Sequence, residues 1–164
     1  MSVRLDLRID AAIERDVPAI LSLIKALAEY ERMSGDVTTD EAGLRASLFG
    51  PARAAEAVIA RVSGAPAGFA VWFHNYSTFL GKRGLYLEDL FVVPEWRGRG
   101  VGRALLTYLA QVALERGCGR MEWSVLNWNE PAIRFYRSLG ARPMDGWTVY
   151  RLTGEALARL AGSH

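Results

Sequence analysis

Apolar positions along the chain fall into alternating runs and runs with helical spacing, and the two kinds interleave from end to end. Val3, Leu5, Leu7 and Ile9 alternate with charged residues, which predicts a strand over Val3–Ile9. Asp16-Val17-Pro18 is a helix start with proline in the first turn. Ile20, Leu21, Leu23, Ile24, Leu27 and Ala28 then form one helical face. Thr38-Thr39-Asp40-Glu41 carries a capping-box pattern and opens a second helix reaching Leu48. Ala57–Val62 and Gly68–His74 flank the turn Ser63-Gly64-Ala65-Pro66 and read as a hairpin. Ser77–Gly84 reads as a polar loop, and Leu85–Val93 as a long central strand.

The pattern then switches back to helical spacing. Gly102–Arg116 is a predicted helix with Leu105, Leu106, Leu109, Val112 and Ala113 on one side. Arg120–Leu126 reads as a strand and Glu130–Leu139 as a short helix ended by Gly140. Trp147–Leu152 reads as a last strand and Glu155–Leu160 as a last short helix. This order predicts a single α/β domain over residues 1–164. Its mixed central sheet has six to seven strands, flanked by four to five helices, with antiparallel hairpins joined to a crossover.

Composition narrows the function. A charged fraction of 23% and a net charge of +2 are ordinary for a globular chain and give nucleic-acid binding no support. No apolar run approaches the roughly 20 residues that a membrane-spanning helix needs, and the N-terminal stretch lacks a signal-peptide core. A cytoplasmic protein is therefore expected. Cys118 is the only cysteine, so an intrachain disulfide and a multi-cysteine metal site are excluded. The two histidines, His74 and His164, support no Ser-His-Asp or Cys-His constellation, and no metal is expected. Catalysis must rest on carboxylates, tyrosine and backbone dipoles.

The segment with the clearest chemistry is Arg97-Gly98-Arg99-Gly100-Val101-Gly102, between the strand ending at Val93 and the helix that follows. Glycine lets backbone N–H groups converge with no Cβ in the way. The helix start adds unpaired donors and the positive end of its dipole, which together make an anion site. A P-loop would close with Lys-Ser or Lys-Thr, but Arg103-Ala104 stand there. A dinucleotide fingerprint needs a third glycine where Arg103 lies.

Arg97, Gly100 and Gly102 fit instead the pattern Arg/Gln-x-x-Gly-x-Gly/Ala, which resembles the coenzyme A pyrophosphate loop of the GCN5-related N-acetyltransferases. Three further segments extend the resemblance over most of the chain: Leu85-Tyr86-Leu87-Glu88-Asp89-Leu90-Phe91-Val92, Trp128-Asn129-Glu130-Pro131-Ala132-Ile133-Arg134-Phe135-Tyr136, and Leu23 to Glu31. Together they look like the diamine acetyltransferase branch, which includes the spermidine/spermine and thialysine N-acetyltransferases. The resemblance implies acetyl-CoA as co-substrate and direct attack by a small-molecule amine on its thioester, in a ternary complex. Glu88 matches the water-mediated general base and Tyr136 the general acid beside the departing sulfur. Leu90, Phe91 and Val92 match the strand edge that pairs with pantetheine. Gly98, Arg99, Gly100, Val101, Gly102 and Arg103, after Arg97, match the pyrophosphate loop. Asn129, Glu130, Pro131 and Ala132 match further coenzyme contacts, as does Tyr136. Glu29 and Tyr30 match residues lining the amine pocket, and the resemblance favours Glu88 as base with Asp89 as a structural or substrate-orienting residue.

The chemistry needs these residue types. A protonated amine cannot attack, so a carboxylate must help to remove a proton, and a tyrosine hydroxyl can protonate the leaving thiolate. Strand alternation puts Glu88 with Tyr86 and Leu90, and Asp89 with Leu87 and Phe91, unless a bulge intervenes. Glu29, Glu31, Asp36, Glu88 and Asp89 are candidates for an acidic channel suited to a polyamine, and a lysine-like amino acid or its thioether analogue fits equally. A protein substrate, or a non-catalytic acyl-CoA sensor on the same fold, are the competing readings. The resemblance also implies a homodimer, to which the Trp147-Thr148-Val149-Tyr150 strand could contribute.

Overall fold

The computed structural model describes residues 4–162. The chain forms two compact units, one ending at Ser124 and the other beginning at Val125. The first unit holds strands β1 (Leu7–Ala11), β2 (Glu56–Val62), β3 (Ala65–Ser77), β4 (Lys82–Val92) and β5 (Met121–Trp123), with helices α1 (Val17–Tyr30), α2 (Glu41–Phe49) and α3 (Val101–Glu115). The second holds α4 (Glu130–Ser138) and α5 (Gly154–Ala161).

The five strands lie side by side in chain order. β1 through β4 pair antiparallel, whereas β5 pairs parallel to β4 after the α3 crossover. An α/β fold with a mixed sheet is thus as expected, with five strands rather than six or seven, and five α-helices among the described residues.

Local chemistry explains the helix starts. Pro18 fixes the first turn of α1, and Asp40 caps α2 by accepting the Gly43 N–H at 2.7 Å. Buried Asp16, just before α1, accepts from the Arg61 guanidinium at 2.6 Å and from the Ile13 N–H at 2.9 Å. That pair ties the start of α1 to β2.

The sheet is covered on both faces. On one, Ile20 and Leu23 of α1 and Leu48 of α2 pack with Ala57, Ile59, Phe69, Val71 and Phe91. On the other lies α3, whose Leu105 reaches so near Gly68 that a Cβ there would stand 3.5 Å from it and 2.6 Å from the Phe91 carbonyl. Glycine at 68 is therefore a close-approach position.

Three expectations change. The first strand runs Leu7–Ala11 rather than Val3–Ile9, and Val3 lies outside the described residues, as does His164. Ser77–Gly84 is not a loop: β3 and β4 continue through Ser77 and from Lys82, leaving residues 78–81 as a tight hairpin turn. Trp147–Leu152 forms no strand. A strand exists only through its ladder, and the second unit offers no other strand among the described residues. Trp147, Val149 and Tyr150 are instead 79%, 85% and 93% exposed.

Leu105 is fully buried while Leu114 on the same helix is 80% exposed. Leu105→Ala should cost about 2–5 kcal/mol in urea unfolding, and Leu114→Ala less than about 0.5 kcal/mol. Equal losses would contradict this packing.

Candidate active site

The site is built where β4 carries one residue too many. Val71 of β3 lies opposite Asp89, but the next residue, Trp72, lies opposite Leu87. Glu88 is the extra residue, and the ladder steps over it as a β-bulge. The bulge resets the alternation. Before it, Leu85 and Leu87 lie opposite His74 and Trp72, on the α3 face. After it, Asp89 and Phe91 lie opposite Val71 and Phe69, on the α1 face. Asp89 therefore shares a face with Tyr86, whose ring stands 5.2 Å from that of Phe73, and not with Leu87. The simple alternation expected for this strand is corrected accordingly.

The bulge also coincides with the end of strand pairing on the outer side. β5 accompanies β4 only along Leu85, Tyr86 and Leu87. From Glu88 to Val92 the strand carries on with β3 alone as its neighbour. Val93 N–H donates to Ala67 O on the β3 side at 2.9 Å. By alternation the backbone groups of Leu90 and Val92 point the other way, to the open edge.

That edge leads into the glycine loop. Gly98 and Gly100 have φ of 73° and 86°, the left-handed region. A Cβ at either would meet no protein atom within 4 Å, so the space above the loop is open. Gly100 caps α3 without a side-chain hydrogen bond, and the first helical bond is Ala104 N–H to Gly100 O. The amides of Val101, Gly102 and Arg103 precede that bond and stand at the positive end of the dipole of the 15-residue α3. These are the features that a pyrophosphate requires. Beside the loop a hollow of about 400 Å³ runs along α3 from Gly100 and Arg103 to Gln111.

The flanking arginines differ in their use. Arg99 lies over the Trp96 ring, 5.1 Å from its centre. Arg97 donates its Nε–H to Val92 O at 2.9 Å and lies between the Tyr30 and Phe91 rings. Sequence reasoning placed Arg97 only on the phosphate side, because no local signal links it to Tyr30, 67 positions earlier.

Carboxylates gather at the inner end. Asp89, partly buried, has its pKa pushed up to about 6, first by burial and then by the negative charges of Glu88 and Glu31. Glu31, just past the end of α1, is itself raised by burial. Glu88 is exposed. Glu29 and Tyr30 stand in the last turn of α1, beside Glu31. The hairpin turn at residues 78–81 lies some 20 Å or more from Glu88 along β4, at the usual strand rise.

A second polar cluster lies on the α3 face. Arg116 makes a two-bond pair with Glu56, at 2.5 and 2.9 Å, and lies 3.0 Å from His74 Nε2. The pairing holds the Glu56 carboxyl below its usual range. Cys118 Sγ is 3.7 Å from His74 Nδ1, which also bonds the Gly84 carbonyl at 3.0 Å, so the thiol is part of a packed structural joint. No group of three or more metal-ligating side chains occurs among the described residues, nor is any of their helices long and apolar enough to cross a membrane.

In the second unit, Asn129 caps α4 by accepting the Ala132 N–H at 3.4 Å, with Glu130 and Pro131 in the first turn. Tyr136 is on the same helix, its ring 5.7 Å from that of Phe135.

Comparison with known proteins bears directly on this arrangement. The pattern of the Acetyltransferase (GNAT) family matches residues 20–141. The thialysine N-epsilon-acetyltransferase of Bos taurus is 39% identical over 160 residues, covering 91% of this chain and 94% of that protein. The L-ornithine N5-acetyltransferase of Arabidopsis thaliana is 33% identical, covering 92% and 86%. Among solved structures, an integron cassette protein from the mobile metagenome of V. cholerae superposes with a TM-score of 0.80 at 26% identity, over 98% of this chain and 100% of that one.

Raising the pKa of Asp89 from 3.8 to about 6 has a stability consequence. The folded state holds the proton more tightly than the unfolded one, so the cost is absent below pH 3.8, grows through the interval and is complete above pH 6. Asp89→Asn should therefore stabilise the fold by about 1–3 kcal/mol at neutral pH, with the gain vanishing near pH 4. A gain of equal size at both pH values would overturn this account of the carboxyl group.

Proposed function

The chain belongs to the GNAT acetyltransferase family and is an N-acetyltransferase, and from that premise we propose that it moves the acetyl group of acetyl-CoA to a primary amine of a small molecule, a lysine-like amino acid such as thialysine or a polyamine. The observation that carries the reading is the bulge at Glu88, which puts Glu88 and Asp89 where the open edge of β4 begins, with the glycine loop following the far end of that edge. The relatives acting on thialysine and on ornithine, both amino acids with a side-chain amine, support the amino-acid branch of the proposal. Both units, residues 1–164, serve as one acetyltransferase domain in this reading.

Bound acetyl-CoA supplies the activated acyl group. The chain's own residues do the rest. Backbone groups of Leu90 and Val92, on either side of Phe91, offer a strand edge to an extended amide-bearing arm. The glycine loop, from Gly98 through Arg103, holds a diphosphate by backbone N–H groups and the α3 dipole. Asn129, Glu130, Pro131 and Ala132 contribute further coenzyme contacts. Asp89, with Glu31 and Glu29, holds the substrate ammonium against Tyr30. Glu88, exposed at the bulge, takes a proton from the amine through a water molecule, and the Tyr136 hydroxyl protonates the departing sulfur. An ammonium beside Asp89 would favour the ionised form that burial, and then the charges of Glu88 and Glu31, disfavour, so amine binding should strengthen as pH rises through about 6.

CoA release measured against spermidine, spermine, putrescine, lysine, thialysine and aminoglycosides tests this directly. Turnover on the amino acids or the polyamines is expected. Glu88→Gln should lower kcat about 10²-fold, with partial recovery at high pH as free amine accumulates. Tyr136→Phe should lower kcat while leaving coenzyme binding normal. An unchanged pH–rate profile in Glu88→Gln would remove Glu88 as the base.

The exposed run Trp147, Val149 and Tyr150 supports a homodimer, because so much adjacent apolar surface is the mark of an interface. Light scattering at micromolar concentration should give twice the 18.1 kDa chain mass. A monomer would exclude the dimer.

A further inference from the structure

Arg97 is built into both halves of the site. Its backbone opens the glycine loop, yet its side chain runs toward α1. The guanidinium carbon lies 4.8 Å from the centre of the Tyr30 ring and 5.3 Å from that of Phe91. Both distances are within the range of cation–π attraction. The Nε–H donates to Val92 O at 2.9 Å, so the side chain is tethered at the open edge of β4 as well as stacked. Phe91 is a buried member of the core and gives the stack a rigid back wall. Tyr30 is partly exposed and lies between Glu29 and Glu31 in sequence. Glu31 is in electrostatic contact with Asp89.

One side chain therefore spans the loop that would receive a diphosphate and the helix end that would receive the amine. The planar guanidinium is suited to this, since it presents a flat face to each ring while donating in its own plane. Pro94–Trp96 forms a short helical turn immediately before Arg97, and Gly98 and Gly100 follow in left-handed conformations, so the Arg97 backbone is set by the loop's shape. Whatever fixes the loop fixes the stack on Tyr30.

We propose that Arg97 is a positioning residue coupling the two binding sites, so that coenzyme seated on the glycine loop tightens amine binding at the end of α1. The proposal rests on the acetyl-transfer reading above. Arginine here does not serve chiefly as a phosphate ligand. The loop's backbone holds the phosphates, and the side chain carries their effect to Tyr30.

A double-mutant cycle tests it, with thialysine as the amine and CoA as the unreactive coenzyme. Amine affinity is measured by calorimetry with and without CoA, alongside KM and kcat. In the wild-type protein CoA should tighten thialysine binding roughly 2–5-fold, the factor that an exposed cation–π contact corresponds to. Arg97→Gln, which preserves the Arg/Gln-x-x-Gly pattern of the loop, should abolish that factor and raise the amine KM equally. Its CoA affinity in the absence of amine should fall by a smaller factor than the amine affinity measured with CoA present. Tyr30→Leu should do the same, Tyr30→Phe should retain the coupling because the ring remains, and the double variant Arg97→Gln/Tyr30→Leu should be no worse than either single one.

Loss of CoA affinity in Arg97→Gln with the coupling intact would make Arg97 an ordinary phosphate contact and overturn the proposal. Multiplicative losses in the double variant would overturn it too, since the two residues would then act independently. Wild-type protein that acetylates thialysine but shows no CoA-dependent tightening sinks this proposal alone. Wild-type protein that acetylates no amine sinks the functional reading with it.

Discussion

The extra residue at Glu88 is the constraint from which the site follows. Without it, β4 would pair in register from Lys82 to Val92, and one face would carry Leu85, Leu87, Asp89 and Phe91 alike. Asp89 would then lie beneath α3, among Leu105 and its neighbours, where an ionised carboxyl group has no place. With the extra residue, the inner half of the strand gives its leucines to α3 and the outer half gives Phe91 to the α1 core. Asp89 comes to the side where α1 ends. The same irregularity coincides with the point at which β5 ceases to accompany β4, and an edge without a neighbouring strand opens next to the carboxylates. A bulge costs ladder hydrogen bonds and is retained where it aims a side chain.

The carboxylate cluster shows the same exchange of stability for chemistry. Partial burial of Asp89 near Glu88 and Glu31 is unfavourable for the free protein, as its raised pKa records. In the proposed reading that cost is recovered when a cation binds, because a positive charge beside Asp89 favours its ionised form. Structural ion pairs elsewhere are arranged differently. Asp16 with Arg61 and Glu56 with Arg116 each match a carboxylate to a guanidinium across elements, and they hold α1 to β2 and the end of α3 to the sheet. Opposite charges pair at these joints, whereas Asp89 has like charges as neighbours.

Most of this was legible wherever the signal is local. The start of α1 is written in Asp16-Val17-Pro18, that of α2 in Asp40, and that of α3 in the left-handed glycines before Val101. Local patterns also gave the β2–β3 hairpin. The bulge was not legible, because an excess residue is defined only against the partner strand, and nothing in Leu85–Val92 says where β3 stands. The polar composition of Ser77–Gly84 suggested a loop, but cross-strand pairing extends β3 and β4 through half of it. Trp147–Leu152 erred the other way: strand-forming residues do not make a strand without a partner, and Trp147, Val149 and Tyr150 are exposed. Arg97 was recognised for its place in the loop and not for its side chain, whose partners Tyr30 and Val92 are set by tertiary structure.

Backbone and side chains divide the recognition between them. The loop and the edge of β4 offer N–H and C=O groups, which any sequence provides once the glycines and the bulge are in place, so the coenzyme half of the site demands few side chains. The amine half is the reverse. In the proposed reading it rests on the side chains of Glu29, Tyr30, Glu31 and Asp89, all but the last from the final turn of α1 and its cap. Such a division leaves the two halves energetically separate unless something joins them. The Arg97 side chain, tethered at Val92 and stacked against Tyr30, is the direct physical link between the open strand edge and the end of α1.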